Sequence, residues 1–174
     1  MLHVLKSISV NRPRHEVYEF WRNFERLPGF MIHLEAVTVG GNGRSHWVAN
    51  GPAGRVEWDA EMTEDRAGEV IAWRSLEGSD VPNGGTVRFT DAPADRGTIV
   101  QVDLHYDPPA GKAGAAVPRV FGEDPSQQLR DDLRRFKQVM ETGEVVRSDG
   151  SLAGAGQGAT NQRPAQPVEV RVRS

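Results

Sequence analysis

Apolar residues recur with two different periods along this chain, and the changes of period set the expected order of elements. Over much of the first two thirds the period is two. Val56, Trp58, Ala60 and Met62 alternate with Glu57, Asp59 and Glu61, as in a strand with one covered face and one wet face. Ile71 and Trp73 share a face within 69–76, Val87 and Phe89 within 86–90, and Val100, Val102, Leu104 and Tyr106 within 98–106. Residues 4–10 have the β-branched character of a first strand. Two further strands, 33–39 and 44–50, flank Gly40-Gly41-Asn42-Gly43, a hairpin signal. Gly51-Pro52-Ala53-Gly54 and residues 92–97 mark other turns, and Gly84-Gly85 precedes the strand over 86–90. Connections this short imply an antiparallel meander, because parallel strands need long crossovers.

The helical period appears twice. After Asn11, Arg12 and Pro13, the residues Val17, Phe20, Trp21 and Phe24 share one face until Pro28-Gly29 breaks the run. Phe30, Met31 and Ile32 then form a compact apolar cluster. The second helix, over 124–143, is fully punctuated. Asp124 suits the N-cap, Pro125 the first helical position and Gln127 the return bond of a capping box. Gly143 suits the stop. Leu129, Leu133, Phe136 and Met140 line one face, and a helix placed after a run of strands has an open sheet to close. That stripe is either the wall of a ligand cavity or ordinary core.

Residues 108–122 are rich in Gly and Ala, with a short helix expected around 113–121. Past Gly143 the chain turns to Gly, Ala, Gln, Ser and Pro, a composition that buries too little surface to order itself. The expected organisation is one domain over 1–146 and a disordered tail over 147–174, whose last residues alternate Val with charge and could add an edge strand. No internal repeat is present.

Composition narrows the chemistry. The chain has 174 residues, a formal net charge of -3 and no cysteine, which removes disulfides, thiolate metal sites and cysteine nucleophiles. The basic residues of the last helix are interleaved with Asp131, Asp132 and Glu141, which argues against a nucleic-acid track. No stretch approaches the roughly 20 apolar residues of a membrane span, and no signal-peptide run opens the chain, so a cytoplasmic protein is expected. Neither a phosphate-binding loop nor a nucleophile elbow occurs, and the five histidines show no metal-ligand spacing.

Aromatic residues are the main resource. Alternation puts Trp58, Trp73, Phe89 and Tyr106 on faces that can look toward the last helix. Polar candidates are fewer. Arg74 points either at a ligand or into solvent, the Tyr106 phenol can donate a proton, and His33 and His46 flank one hairpin and could face each other. Glu57, Asp59 and Glu61 read as a solvated face of mutually repelling carboxylates.

Several stretches together resemble a known family. They are Ser7-Ile8-Ser9-Val10-Asn11-Arg12-Pro13 leading into Val17-Tyr18-Glu19-Phe20-Trp21, then Phe24-Glu25-Arg26-Leu27-Pro28, Ile71-Ala72-Trp73-Arg74-Ser75-Leu76, and Phe121-Gly122-Glu123-Asp124-Pro125. Their order resembles the START-like (SRPBCC) superfamily, in its polyketide cyclase/dehydrase and coenzyme-Q-binding-protein-like branch, over about residues 3–145. The resemblance implies an α+β helix-grip fold: a curved antiparallel sheet of about seven strands wrapped around a long C-terminal helix, with short helices after the first strand and an apolar tunnel between sheet and helix.

The ligand set expected on that basis is Trp21, Phe24, Phe30, Trp58, Trp73, Phe89, Tyr106, Phe121, Leu133, Phe136 and Met140, with Arg74, His33 and His46 as polar contacts. The implied function is binding of a hydrophobic small molecule (lipid, quinone or polyketide-like), with no cofactor, no metal and no assigned catalytic residue. Two alternatives stand beside it. One is a polyketide cyclase or dehydratase. The other is a lipid-exchange factor in transient membrane contact, with Phe30-Met31-Ile32 as an exposed lip.

Overall fold

The computed structural model describes residues 2–51, 54–107 and 124–143. Strand β1 (Leu2–Val10) is followed by helix α1 (Arg14–Arg22) and a 3-10 segment (Phe24–Gly29). Six strands come next: β2 (Leu34–Val39), β3 (Arg44–Gly51), β4 (Gly54–Arg66), β5 (Val70–Ser75), β6 (Asn83–Asp91) and β7 (Thr98–Tyr106). A short 3-10 turn (Pro93–Asp95) separates β6 from β7, and helix α2 (Pro125–Thr142) comes last. The seven strands form one sheet in the order β1-β7-β6-β5-β4-β3-β2, every pair antiparallel. This is the α+β helix-grip architecture expected. The helix expected near 113–121, the tail beyond 146 and its possible added strand lie outside the described residues.

Alternation holds along the sheet. Val4 and Val10 of β1, Ala49 of β3, Trp58 and Ala60 of β4, and Val100 and Val102 of β7 are buried on the covered face. Helix α2 begins where Asp124 accepts a hydrogen bond from Ser126 N at 3.3 Å. It ends where Gly143 takes φ 86 and donates its N–H to Val139. Glycine enters that left-handed region without a Cβ penalty, which is why the helix stops there. Gln127 does not close a capping box. Its amide donates to the Asp131 carboxylate one turn on, and its carbonyl accepts from Arg130. Charged partners on its own helix outcompete the backbone N–H.

A second departure concerns Gly84-Gly85, which lie inside β6 and not before it. Trp73 pairs across the strands with Gly85. A Cβ on Gly85 would come within 2.7 Å of the Trp73 ring and 2.6 Å of the Asp103 carbonyl. The glycine leaves room for the indole to lie across the strand. Strand β4 also runs past Met62, through a bulge at Met62/Glu64 that ends the strict alternation.

The core has a dense aromatic centre. Phe136 of α2 is fully buried, with ring centroids 5.0 Å from Trp21, 5.0 Å from Phe30 and 5.9 Å from Phe20. Phe30, expected in an exposed lip, is 0% exposed and belongs to this cluster, while Ile32 remains 48% exposed. The apolar run turns inward at Phe30 because the rings of α1 and α2 offer it a better partner than water. No helix among the described residues is long and apolar enough to cross a membrane.

Candidate functional site

Beneath the first two turns of α2 the packing leaves a cavity of about 130 Å³. An apolar cavity of about 150 Å³ is known to stay dry and take up benzene, so this space suits a body the size of one ring. Its walls come from four directions. The sheet contributes Trp47, Trp58, Trp73, Leu104 and Tyr106 among others, α1 and the 3-10 segment contribute Trp21, Phe24 and Leu27, the loop into β2 contributes Met31 and His33, and α2 contributes Pro125, Gln128, Leu129 and Asp132. All four tryptophans of the chain therefore meet at this one space.

Each ring is held by a specific neighbour. Trp47 and Trp58 are cross-strand partners and stack with centroids 5.9 Å apart at an interplanar angle of 12°. The Trp47 N–H donates to Ser45 Oγ at 2.8 Å. The Trp58 N–H is buried and has no hydrogen-bond partner among the described residues. Trp73 donates to Asn83 Oδ1 at 3.1 Å, and Asn83 donates in turn to the Val81 carbonyl at 2.8 Å. Such second contacts lock a ring's orientation before anything binds.

Polar groups in the lining come from α2 and also from His33, Asn83 and Tyr106. Gln128 and Asp132 are one turn apart on the inner face of α2, and both are buried. Arg135 anchors the carboxylate. Its Nη2 donates to Asp132 Oδ1 at 2.6 Å and its Nε to the Phe30 carbonyl at 2.8 Å. One guanidinium thus ties α2 to the loop that carries Met31 and His33.

Burial, and secondarily the negative charge of Asp124, pushes the Tyr106 phenol up to about 12. Tyr18, on α1, is also pushed up to about 12, by burial first and then by its hydrogen bond to Asp65. These are the only two tyrosines. The folded state favours the neutral phenol at both positions, so their contribution to stability is complete below the ordinary value of 10.0 and is lost as pH rises through about 12. Alkaline titration should show no tyrosinate absorbance step near pH 10 in the native protein and a normal one in denaturant. A native step of one tyrosine near 10 would contradict the burial described.

Of the residues expected at the site, Trp21, Phe24, Trp58, Trp73, Tyr106 and His33 meet at the cavity. Phe30, Leu133 and Phe136 lie in the core beyond it, Met140 packs against that core near the helix end, and Phe89 packs edge-on against Tyr18. The aromatic cluster around Phe136 fills the space under the C-terminal half of α2, which confines the opening to the N-terminal half. Phe121 lies outside the described residues.

Arg74 points to solvent and pairs with Glu61 at 2.6 Å. His33 and His46 do not face each other, because His46 projects from the outer face of the sheet. There it bridges Asp59 at 2.8 Å and Glu57 at 2.9 Å. Those hydrogen bonds, Asp59 first, raise its pKa. The acidic row of β4 is consequently not a set of repelling charges, since His46 and Arg74 sit between or beside its members.

Sequence reading missed Trp47, Gln128 and Asp132. Trp47 was accessible to it: Ser45, Trp47 and Ala49 alternate, and the hairpin brings Trp47 opposite Trp58. Asp132 looked like one member of the helix's polar surface, because a pairing with Arg135 and the Phe30 carbonyl is not written in helical spacing. Among the described residues no group of three or more His, Asp or Glu is placed to hold a metal ion.

Comparison with known proteins adds an independent line. The model of the family described as polyketide cyclase / dehydrase and lipid transport matches residues 10–134. An uncharacterised 17.2 kDa protein of the melC2-rnhH intergenic region of Streptomyces lincolnensis is 32% identical over 142 residues, covering 81% of this chain and 91% of that protein. A crystal structure of a Deinococcus radiodurans protein is 42% identical with a TM-score of 0.68, covering 82% of this chain and 99% of the other. One from Thermus thermophilus, at 21% identity and a TM-score of 0.66 over 82% of this chain and 99% of the other, shares the fold.

Proposed function

This chain belongs to the polyketide cyclase / dehydrase and lipid transport family, and on that premise we propose that it binds a small hydrophobic molecule in the cavity under the first turns of α2. The observation that carries the reading is the convergence of all four tryptophans on a cavity large enough for a ring. Flat apolar surfaces gain large contact area against indoles at little entropic cost. The family description fits either a carrier or a cyclase, and the predominantly apolar lining favours binding.

Bromobenzene tests this directly, because it is ring-sized and its heavy atom quenches any tryptophan it touches. Quenching of intrinsic fluorescence should saturate, and Leu129→Phe, which projects a larger side chain into the space, should weaken the saturable phase by about tenfold. Quenching that rises linearly without saturation in the wild type would overturn the reading.

A second reading, acid–base catalysis on a bound polyketide-like chain, draws on His33 and Tyr106 in the lining. A neutral phenol can donate a hydrogen bond to a developing enolate, and an imidazole can exchange protons near neutral pH. Turnover of a model poly-β-ketone thioester that His33→Gln abolishes would favour it over simple binding.

A further inference from the structure

Asp132 is the only acidic side chain in the cavity lining among the described residues, and no lysine or arginine joins it there. The residue is 8% exposed. Arg135, its ion-pair partner, is outside the lining and reaches Oδ1 while also holding the Phe30 carbonyl. Asp132 therefore brings the one acidic side chain to the described lining, and Arg135 pairs with it from outside that lining. A carboxylate accepts several hydrogen bonds and donates none when ionised. Gln128 stands one turn earlier on the same face. The other walls are mainly indole and aliphatic surface, with His33, Asn83 and Tyr106 as the remaining polar-tipped side chains.

We propose that the cavity selects a neutral, single-ring ligand bearing a hydroxyl group, with its apolar body against the tryptophans and its O–H donating to Asp132, and that it rejects carboxylate ligands such as fatty-acid anions. The proposal rests on the binding reading above and deepens it. A hydroxyl donating to a buried carboxylate forms a charge-assisted hydrogen bond, about twice as strong as a neutral one. A ligand carboxylate in the same place sets two anions side by side in a water-poor site, where like charges repel most strongly. Ring size follows from the volume, which is too small for an extended acyl chain to lie wholly inside.

Three probes with one apolar body separate the possibilities: propylbenzene, 4-propylphenol and 4-propylbenzoate, titrated into the full chain at neutral pH by calorimetry. The phenol should bind about tenfold tighter than propylbenzene, and the benzoate weaker than both. In Asp132→Asn the Arg135 charge is no longer balanced, so the phenol advantage should shrink and the benzoate should gain. Asp132→Ser serves if the Asn variant does not fold, and the wild-type ranking decides without either.

Equal affinity for all three probes would overturn the selection while leaving the binding site in place, and so would a preference for the benzoate. A phenol preference that survives in the folded Asp132 variant would overturn the assignment to that residue. Failure of propylbenzene and the phenol alike to bind would overturn the binding reading itself, and this proposal with it.

Discussion

Replacing Phe136 by alanine is expected to destabilise the fold by about 3–5 kcal/mol, seen as a lower denaturant midpoint with the slope unchanged. The ring is 0% exposed and touches Trp21, Phe30 and Phe20 from three directions. Its removal deletes apolar contact and leaves a hole that the rings of α1 and Phe30 cannot fully collapse to fill. The comparison with Leu129→Ala is informative. Leu129 borders space that is already empty, so its loss should enlarge the ligand cavity and cost less than the Phe136 change. A loss under about 1 kcal/mol for Phe136→Ala would mean that the cluster is not the packing centre described here.

Arg135→Met is expected to cost about 3 kcal/mol. The guanidinium is 21% exposed and its carboxylate partner 11%, so the pair is largely out of water and screening discounts it little. Methionine keeps much of the stem volume but leaves the Asp132 carboxylate without its ion pair and the Phe30 carbonyl without this donor. The cost arises from the lost charge pair and from the lost hydrogen bond to the Phe30 carbonyl. The double variant Arg135→Met/Asp132→Asn should therefore recover much of the loss, and a double-mutant cycle by chemical denaturation measures the coupling. Additive losses would show that the two side chains do not act as a pair. The same arginine holds the loop carrying Met31 and His33, so the single variant should also weaken saturable quenching by bromobenzene.

How much of this was legible beforehand differs from element to element. The strand with Val56, Trp58, Ala60 and Met62 facing inward is present as read, because a period of two admits only one way to bury four apolar side chains on one face. Helix α2 begins and ends where Asp124 and Gly143 placed it, since capping chemistry is local. Gln127 was misjudged because local rules gave it two partners, and its helix neighbours won. Gly84-Gly85 was expected to precede its strand, not to lie within it. Its role as a bed for the Trp73 indole depends on a residue from another strand. The site divides in the same way. Trp21, Phe24, Trp58, Trp73, Tyr106 and His33 were expected and meet at the cavity, whereas Asp132 was hidden among the charges of an amphipathic helix.

By itself the sequence determined the identity and order of the elements, the antiparallel meander and the helix that closes it. Those follow from periodicity, turn chemistry and caps, which act over a few residues. The tertiary structure alone decided where the helix covers core and where it covers space. Phe20, Trp21, Phe30 and Phe136 come from three separate segments and together fill the volume under the far half of α2. Among the described residues no comparable cluster fills the space under its near half. Packing is a sum over all side chains that enter one volume, and no segment carries that sum in its own spacing. The long helix was evident from its pattern, but the cavity under its first turns, and the buried acidic residue in its lining, exist only in the assembled fold.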